Sequence, residues 1–341
     1  MKIIAFVLRI LIFVFCADAV TAQNYRIMFY NTENFFDIQN NPRTRDDEFT
    51  PSGAKHWTKV RYATKLKNIA KVITRLGKGD FPLIIGLAEV ENENVIRDLI
   101  RKTSLRDGNY AYIHHESPDL RGIDVALLFA EKEVYLSAKK FIPLNLAKKN
   151  IRSFSREILY AKLKFVKSNH DLHVFVCHFP SKRGGVRATE WKREIAARTL
   201  RRQIDSIQKA DSRKARILVM GDMNCRANEK VMREVLNVRV MENIPDPAVL
   251  YNAGSRFERK NVGTYKFRGK WELIDHMFVT GNLLRDGAEV RVGAMQIFSE
   301  DFMMEKDKKH YGFRPRPTYS GMRYRGGYSD HFPVYVDVYL K

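Results

Sequence analysis

Short apolar runs, each closed by a carboxylate, an amide or an imidazole, recur along this chain and restrict its fold more than any other feature. The plainest is Ile217-Leu218-Val219-Met220-Gly221-Asp222-Met223-Asn224. Four apolar residues in succession read as a short strand buried on both faces. Gly221 reads as the point where the backbone turns sharply as the strand ends. Asp222 and Asn224 then project from the strand's C-terminal edge, where open α/β sheets collect their ligands. Taken alone, the motif is equally an ordinary strand followed by an Asx turn. Repetition shifts the balance. Residues 25–30 run into Asn31, 81–88 into Glu89 and 172–177 into His178. Asp275 lies in the strand pattern 273–280, and Asp330-His331 stand just before 333–340.

Between these strands lie helical patterns. Val60, Leu66, Ile69, Val72, Ile73 and Leu76 form one apolar stripe, closed by Gly77, and 93–102 forms a second helix. A long basic amphipathic helix spans 189–208, with Ile195, Leu200, Ile204 and Ile207 inward. Strands at 110–116, 124–129, 134–141, 157–166 and 290–296 add hairpins, so the pattern is α/β with mixed sheets and not a doubly wound parallel fold. Residues 37–57, 243–263 and 301–328 read as irregular segments. No Gly/Ser-rich linker divides 23–341, which is read as one domain. Hydrophobic content of 45% with 29% charged residues suits a globular chain.

Residues 1–22 read as a secretory signal. Lys2 and Arg9 supply positive charge, an apolar stretch runs to Phe15, and Val20-Thr21-Ala22 supplies a small-residue cleavage site. The expected location is therefore periplasmic or secreted. A lipid anchor at Cys16 is the rival, and the bulky Phe15 before it argues against that. The apolar run is too short to span a membrane stably. Cys177 and Cys225 lack zinc-cluster spacing and read as buried thiols, with a disulfide between them as the alternative. The net charge of +21 speaks to partners and not to fold: nucleic acid, an anionic surface or a phosphorylated substrate. No feature calls for an obligate protein partner.

The strand-end residues come in blocks: Tyr30-Asn31-Thr32-Glu33-Asn34, Leu87-Ala88-Glu89-Val90, Arg121-Gly122-Ile123-Asp124-Val125-Ala126, Cys177-His178-Phe179-Pro180, Gly221-Asp222-Met223-Asn224, Leu273-Ile274-Asp275-His276 and Ser329-Asp330-His331-Phe332-Pro333. In content and order, over about 25–340, the set resembles the endonuclease/exonuclease/phosphatase superfamily, the deoxyribonuclease-I-like group. The resemblance implies a four-layer α/β sandwich: two mixed β-sheets packed face to face with helices outside, and a site at one end. It also implies metal-dependent hydrolysis of a phosphate ester. Magnesium is the expected cofactor, with manganese able to replace it and calcium able to serve structurally in a loop.

By this resemblance Glu89 is the principal metal ligand, helped by Asn31 and Asp330, with Glu33 as a variant contributor. One or two carboxylates plus waters suffice for magnesium. His178, Asp222, Asn224, Asp275 and His331 form the catalytic set. Asp275 would orient His331, which acts on the water or the phosphate. Asp222 and Asn224 would position the nucleophile and a phosphoryl oxygen. His178 matches the second histidine of the deoxyribonuclease and sphingomyelinase branches, which abasic-site endonucleases lack, and Asp124 is a candidate to orient it.

Arg121, Lys182, Arg183 and Tyr265 are candidate substrate contacts. The loop Lys308-Lys309-His310-Tyr311-Gly312-Phe313-Arg314-Pro315-Arg316 interleaves cations with aromatics, which suits a phosphate backbone and stacked bases. The expected activity is that of a nuclease of low sequence specificity. The alternatives are a phosphodiesterase or phosphatase on a lipid headgroup or small phosphate, and a binding module without turnover.

Overall fold

The computed structural model describes residues 23–148, 151–258 and 260–341. The expected leader, 1–22, lies outside these residues. Among those described, no helix is long and apolar enough to cross a membrane.

Two seven-stranded sheets carry the chain. The first contains β1 (Gln23–Phe35), β2 (Ile84–Val90), β3 (Tyr110–His114), β4 (Asp124–Ala130) and, from much later in the chain, β12 (Val290–Val292) and β13 (Val334–Leu340). Their order is β12-β13-β1-β2-β4-β3, with the short strand Gln296–Ile297 also on β13. The second contains β5 (Val134–Ile142), β6 (Ile158–Phe165), β7 (Asp171–His178), β8 (Ile217–Asp222), β9 (Val238–Arg239), β10 (Leu250–Asn252) and β11 (Asp275–Thr280). Here the order is β9-β10-β11-β8-β7-β6-β5. Each sheet has a parallel pair at its heart, β1 with β2 and β7 with β8, flanked by antiparallel neighbours. The expectation of mixed sheets is met.

Alternation within the central strands sends side chains to both faces of each sheet and so into three cores. Ile27, Phe29, Ile84 and Leu127 of the first sheet meet Leu163, Val174, Leu218 and Met277 of the second in one cluster between the sheets. Met28, Tyr30, Ile85 and Leu87 point the other way, onto Leu66, Ile69, Val72 and Ile73 of α1 (Lys59–Gly77) and Val95 and Leu99 of α2 (Glu93–Arg101). Phe175, Cys177, Val219 and Phe278 likewise leave the second sheet to meet Ala196, Ala197, Leu200 and Ile204 of α3 (Val186–Ala210). The small Ala196-Ala197 pair makes the close contact, while Ile195 and Ile207 are half-buried at its margin. Helix, sheet, sheet, helix is the four-layer sandwich. Each fully buried aliphatic side chain contributes about 1.5–3 kcal/mol, and continuous apolar strands are needed because both sheet faces are covered.

Several local expectations change. α1 runs through Gly77, and the left-handed residue that stops it is Lys78 (φ 54°). Residues 301–328 are not one loop. Met304–Lys306 pairs with Phe313–Pro315, and Tyr319–Ser320 with Arg323–Tyr324. The segment 37–57 packs against that second hairpin: Phe49 and Trp57 lie edge-on or tilted to Tyr319 at 6.1 and 6.0 Å. Cys177 and Cys225 are free and buried, so no disulfide joins them.

Candidate active site

Three strands of the second sheet end side by side. Asp222 at the end of β8 pairs with His178 of β7 on one side and Asp275 of β11 on the other. Neighbouring strands lie about 4.8 Å apart, so the sheet itself delivers an imidazole and two carboxylates as neighbours. Gly221 makes this spacing attainable, though not by turning: it lies inside the strand. A Cβ there would come 2.2 Å from the Cys177 carbonyl oxygen. The turn falls at Asn224 (φ 48°), a residue type that tolerates the left-handed region. Its N–H donates to Asp222 Oδ1 (2.9 Å) and its side-chain amide to the Phe179 carbonyl (3.1 Å). The Asx turn expected of this motif is therefore present, at the strand end that faces His178 and Asp275.

The first sheet brings Asn31 and Glu89 to the same end. Both strands are irregular there: the β1–β2 register shifts between Asn31 and Phe35, and the β2–β4 register between Ala88 and Val90. Glu89 sits in that bulge with φ 61°. Bulges re-aim a side chain, and such backbone strain collects at functional sites. Glu89 Oε2 accepts from the Asn34 N–H (2.8 Å), and Asn34 Oδ1 accepts from Arg121 Nη2 (2.6 Å). Arg121 Nη1 lies 3.6 Å from the other Glu89 oxygen. Asn31 Nδ2 donates to Asp222 Oδ2 (3.1 Å), a direct tie between the two sheets.

His331 enters on the segment leading into β13. Its Nδ1 is 2.7 Å from Asp275 Oδ2 and its Nε2 is 3.9 Å from Asp222 Oδ2. Ser329 Oγ fixes the approach by donating to the Asn31 carbonyl (2.7 Å) and accepting the His331 N–H (3.0 Å). Thr264 Oγ1 donates to the same Asp275 oxygen, Oδ2, that meets His331, and Tyr265 stacks on the His331 ring at 4.9 Å. His178 Nε2 is 3.7 Å from the same Asp222 oxygen, while its Nδ1 is buried without a partner.

Burial would deprotonate His331, but Asp275, Asp330 and Asp222 override it and hold the imidazole well above its ordinary value. His178 goes the opposite way: burial, then Arg156, Arg121 and His331, hold it well below, so it is neutral. Asp222 is pushed up to about 7 by burial and by Asp275, against the pull of His331. Burial also raises Asp330, His331 opposing and Glu89 adding to the rise. This end of the sandwich thus has more carboxylate than its own cations neutralise, a condition a bound divalent cation relieves.

Two donor sets are candidates for such an ion. Asp222, Asp275 and His331 offer ligand atoms within 4.8 Å of one another. There, however, Asp275 Oδ2 and His331 Nδ1 are already committed to each other. Glu89 and Asp330, close enough for each charge to be felt by the other, are with the Asn31 amide the hard oxygen donors that would hold a divalent cation and leave the histidine pair intact, although Asn31 Oδ1 and Glu89 Oε2 each already accept a backbone N–H.

The structure thus joins Asn31, Glu89, Asp222, Asn224, Asp275, Asp330, His331, His178, Arg121 and Tyr265. One expectation fails. Asp124 does not orient His178; it accepts from Ser117 and lies 3.9 Å from His114. Glu33, near Asp330 and Lys65, accepts the Thr318 (2.6 Å) and Tyr319 (3.4 Å) N–H groups, holding the 316–328 segment down. The expected substrate contacts are a separate matter: Lys182 pairs with Glu229 (2.9 Å), and Arg183 is exposed on the same loop. Ser329, Thr264 and Asn34 escape sequence reading. Ser329 lies within the Ser-Asp-His block, but nothing in the sequence ties Thr264 to Asp275. The buried pair Arg156–Asp119 (2.9 Å), with Arg156 also donating to the Phe179 carbonyl (3.3 Å), is a further unforeseen neighbour of His178. A cleft of about 630 Å³ lies away from this cluster, lined by Tyr25, Arg26 and Asp337 among others, with no imidazole in its lining.

A family model described as the Endonuclease/Exonuclease/phosphatase family matches residues 26–340. No curated protein matches the chain. Among solved structures, an endonuclease/exonuclease/phosphatase family protein from Bacteroides thetaiotaomicron superposes with a TM-score of 0.58 at 15% identity, covering 94% of this chain and 96% of that one. D. rerio TDP2 complexed with single strand DNA product gives 0.55 at 14%, covering 92% and 98%. The Bacteroides thetaiotaomicron mannosyl-6-phosphatase gives 0.56 at 14%, covering 92% and 99%. At these identities the likeness is one of fold, while the family match spans nearly the whole chain. With its two-sheet sandwich and its cluster of carboxylates and imidazoles at one end, the chain belongs to the Endonuclease/Exonuclease/phosphatase family.

Proposed function

We propose that the chain is a magnesium-dependent phosphodiester hydrolase, an exported nuclease of low sequence specificity acting in the periplasm or outside the cell. The observation that carries this reading is the line His178–Asp222–His331–Asp275, with Glu89 and Asp330 beside it, in a chain of net charge +21. Glu89, Asp330 and Asn31 would hold the cation, which when bound neutralises phosphoryl oxygens as charge builds in the transition state.

The remaining chemistry belongs to the chain's own side chains. Asp275 keeps His331 protonated, so the imidazolium serves as a donor and counter-charge to a phosphoryl oxygen. A protonated ring cannot take a proton from water. That task falls to Asp222, which is poised near neutrality and is held by the Asn31 amide and the Asn224 N–H. Neutral His178 stands on the other side of Asp222 as a hydrogen-bond donor to the phosphate. Arg121, beside Glu89, faces the substrate's charge.

The test is degradation of plasmid DNA and of RNA with Mg²⁺ and with EDTA. Hydrolysis that EDTA abolishes and Mg²⁺ restores is expected. Intact nucleic acid alongside cleavage of bis(p-nitrophenyl) phosphate, a phospholipid or a sugar phosphate would replace the nuclease reading with the phosphodiesterase or phosphatase one.

A further inference from the structure

Beside the site, two hairpins form a rim on which Trp271 packs inward on Phe332 while Phe267, Tyr311 and Phe313 serve no core. The first joins Tyr265–Phe267 to Lys270–Glu272 through Arg268 and Gly269. Alternation places Tyr265 and Phe267 on one face and Lys266 on the other. Tyr265 stacks on His331, and Phe267 lies 6.4 Å from Tyr265 with its ring only 16° from parallel. The three rings form a line running outward from the imidazole. Lys266, nearly buried, points the other way and locks the second hairpin. Its Nζ donates to the Tyr311 (2.8 Å) and Phe313 (3.1 Å) carbonyls and pairs with Asp307 at 3.2 Å. Gly269 packs against His310, where a Cβ would come within 2.8 Å of the ring.

This bracing holds apolar rings in water. Tyr311 is 100% exposed, Phe313 58% and Phe267 51%. The Arg268 guanidinium lies 5.3 Å over Phe267, and Lys308 and Lys309 sit at the tip of the second hairpin. A merely solvated rim would carry polar side chains. Ring faces among cations, aligned with a histidine that meets phosphate, suit a ligand joining flat rings to anions.

We infer that this rim is a base-stacking subsite for single-stranded nucleic acid, in which a base flanking the scissile phosphate packs against the exposed part of Phe267 with Arg268 beside it. The inference deepens the nuclease reading and rests on it for the phosphate's place at His331. A duplex hides its base faces in its own stack and offers only edges and backbone, so the rim selects single strands. Phe267 has no core role, and its replacement leaves the Lys266 anchor in place.

The test is equilibrium binding by fluorescence anisotropy at fixed salt, with EDTA to prevent turnover. The probes are a labelled oligothymidine, a strand of equal length built from abasic spacers, and a duplex. Both single strands carry the same phosphates, so their difference reports the bases. The full chain should bind oligothymidine about tenfold tighter than the abasic strand. Phe267→Ala should erase most of that ratio, and Phe267→Trp should keep it. Equal affinity for both strands, a ratio that survives Phe267→Ala, or tighter binding of the duplex that ignores Phe267 would overturn the inference. Base-dependent binding without hydrolysis of any nucleic acid would sustain the subsite and refute the nuclease reading. Hydrolysis with base-independent binding would do the reverse.

Discussion

Gly221→Ala separates the two explanations of the glycine in the Gly-Asp-Met-Asn block. If Gly221 served only to turn the chain, alanine would be tolerated, since its place in β8 requires no left-handed backbone. The structure gives a different reason. The added Cβ would lie 2.2 Å from the Cys177 carbonyl oxygen and 2.8 Å from the Cys177 Cβ. Reaching even 3.0 Å from that oxygen requires β7 and β8 to part by about 0.8 Å at this pair. Neither strand is free to move. Cys177 is packed in the α3 core, and Gly221 is paired with His276 of β11 on its other side. Overpacking of this kind costs about 1–3 kcal/mol. The displacement falls one residue from the Asp222–His178 pair, where a misplacement near 1 Å costs roughly 10²-fold in rate.

Gly86→Ala is the comparison. Its Cβ also meets a neighbour closely, but at 2.8 Å the atom is the terminal methyl of Met220, which can swing aside. Urea denaturation of the two variants, with initial rates on a phosphodiester, decides the matter. Gly221→Ala should lose about 2–3 kcal/mol and about 10²-fold in kcat, while Gly86→Ala should lose under about 1.5 kcal/mol. A Gly221→Ala protein as stable and active as Gly86→Ala would refute the close-approach argument.

Asp275→Asn should lower kcat by about 10²–10⁴-fold with little change in KM; because Asp275 holds His331 up, the variant's limb in a pH–rate profile should move to lower pH, and an unmoved limb would mean His331 is not the group titrating. Asp124 and His114 test linkage away from the site. Burial pushes Asp124 up to about 7, and burial with His115 pushes His114 down to about 4. Between pH 4 and 6.5 the native state holds the Asp124 proton that the unfolded chain has lost, so stability falls as pH rises. Over the same window the unfolded chain holds the His114 proton that the native state lacks, so stability rises. The two slopes cancel, and Asp124→Asn should expose an upward slope of up to about 1.4 kcal/mol per pH unit in urea titrations. A flat profile in the variant would show that His114 does not carry it. Lys65→Met should cost about 3 kcal/mol, because the buried ammonium donates to Thr318 Oγ1 (2.6 Å) and the Tyr328 carbonyl (2.8 Å) and is the cation opposite Glu33. Adding Glu33→Gln should recover part of that cost in a double-mutant cycle, and strict additivity would show that the two do not interact.

By itself the sequence determined the layers and the chemical inventory. Continuous apolar runs can only be strands covered on both faces, and helical stripes of matching length supply the cover, so the sandwich was legible. Polar residues closing those strands announced a site and its chemistry, because so many carboxylates and imidazoles would not otherwise share strand ends. What tertiary structure alone decided was which of these groups face one another. The register of β7, β8 and β11 sets His178, Asp222 and Asp275 abreast, and register depends on pairing partners far apart in the chain. It gave His178 to Asp222 and not to Asp124, turned Glu33 under the 316–328 segment and set Thr264 on the Asp275 oxygen that meets His331. Tertiary neighbours then set protonation: Asp275, Asp330 and Asp222 hold His331 charged against its burial, while burial with Arg156 and Arg121 holds His178 neutral, although both began as the same residue type. The Gly-Asp-Met-Asn block shows the division in small. Its residue types foretold both an Asx turn and a site, but only the neighbouring strand, 2.2 Å from an absent Cβ, explains the glycine.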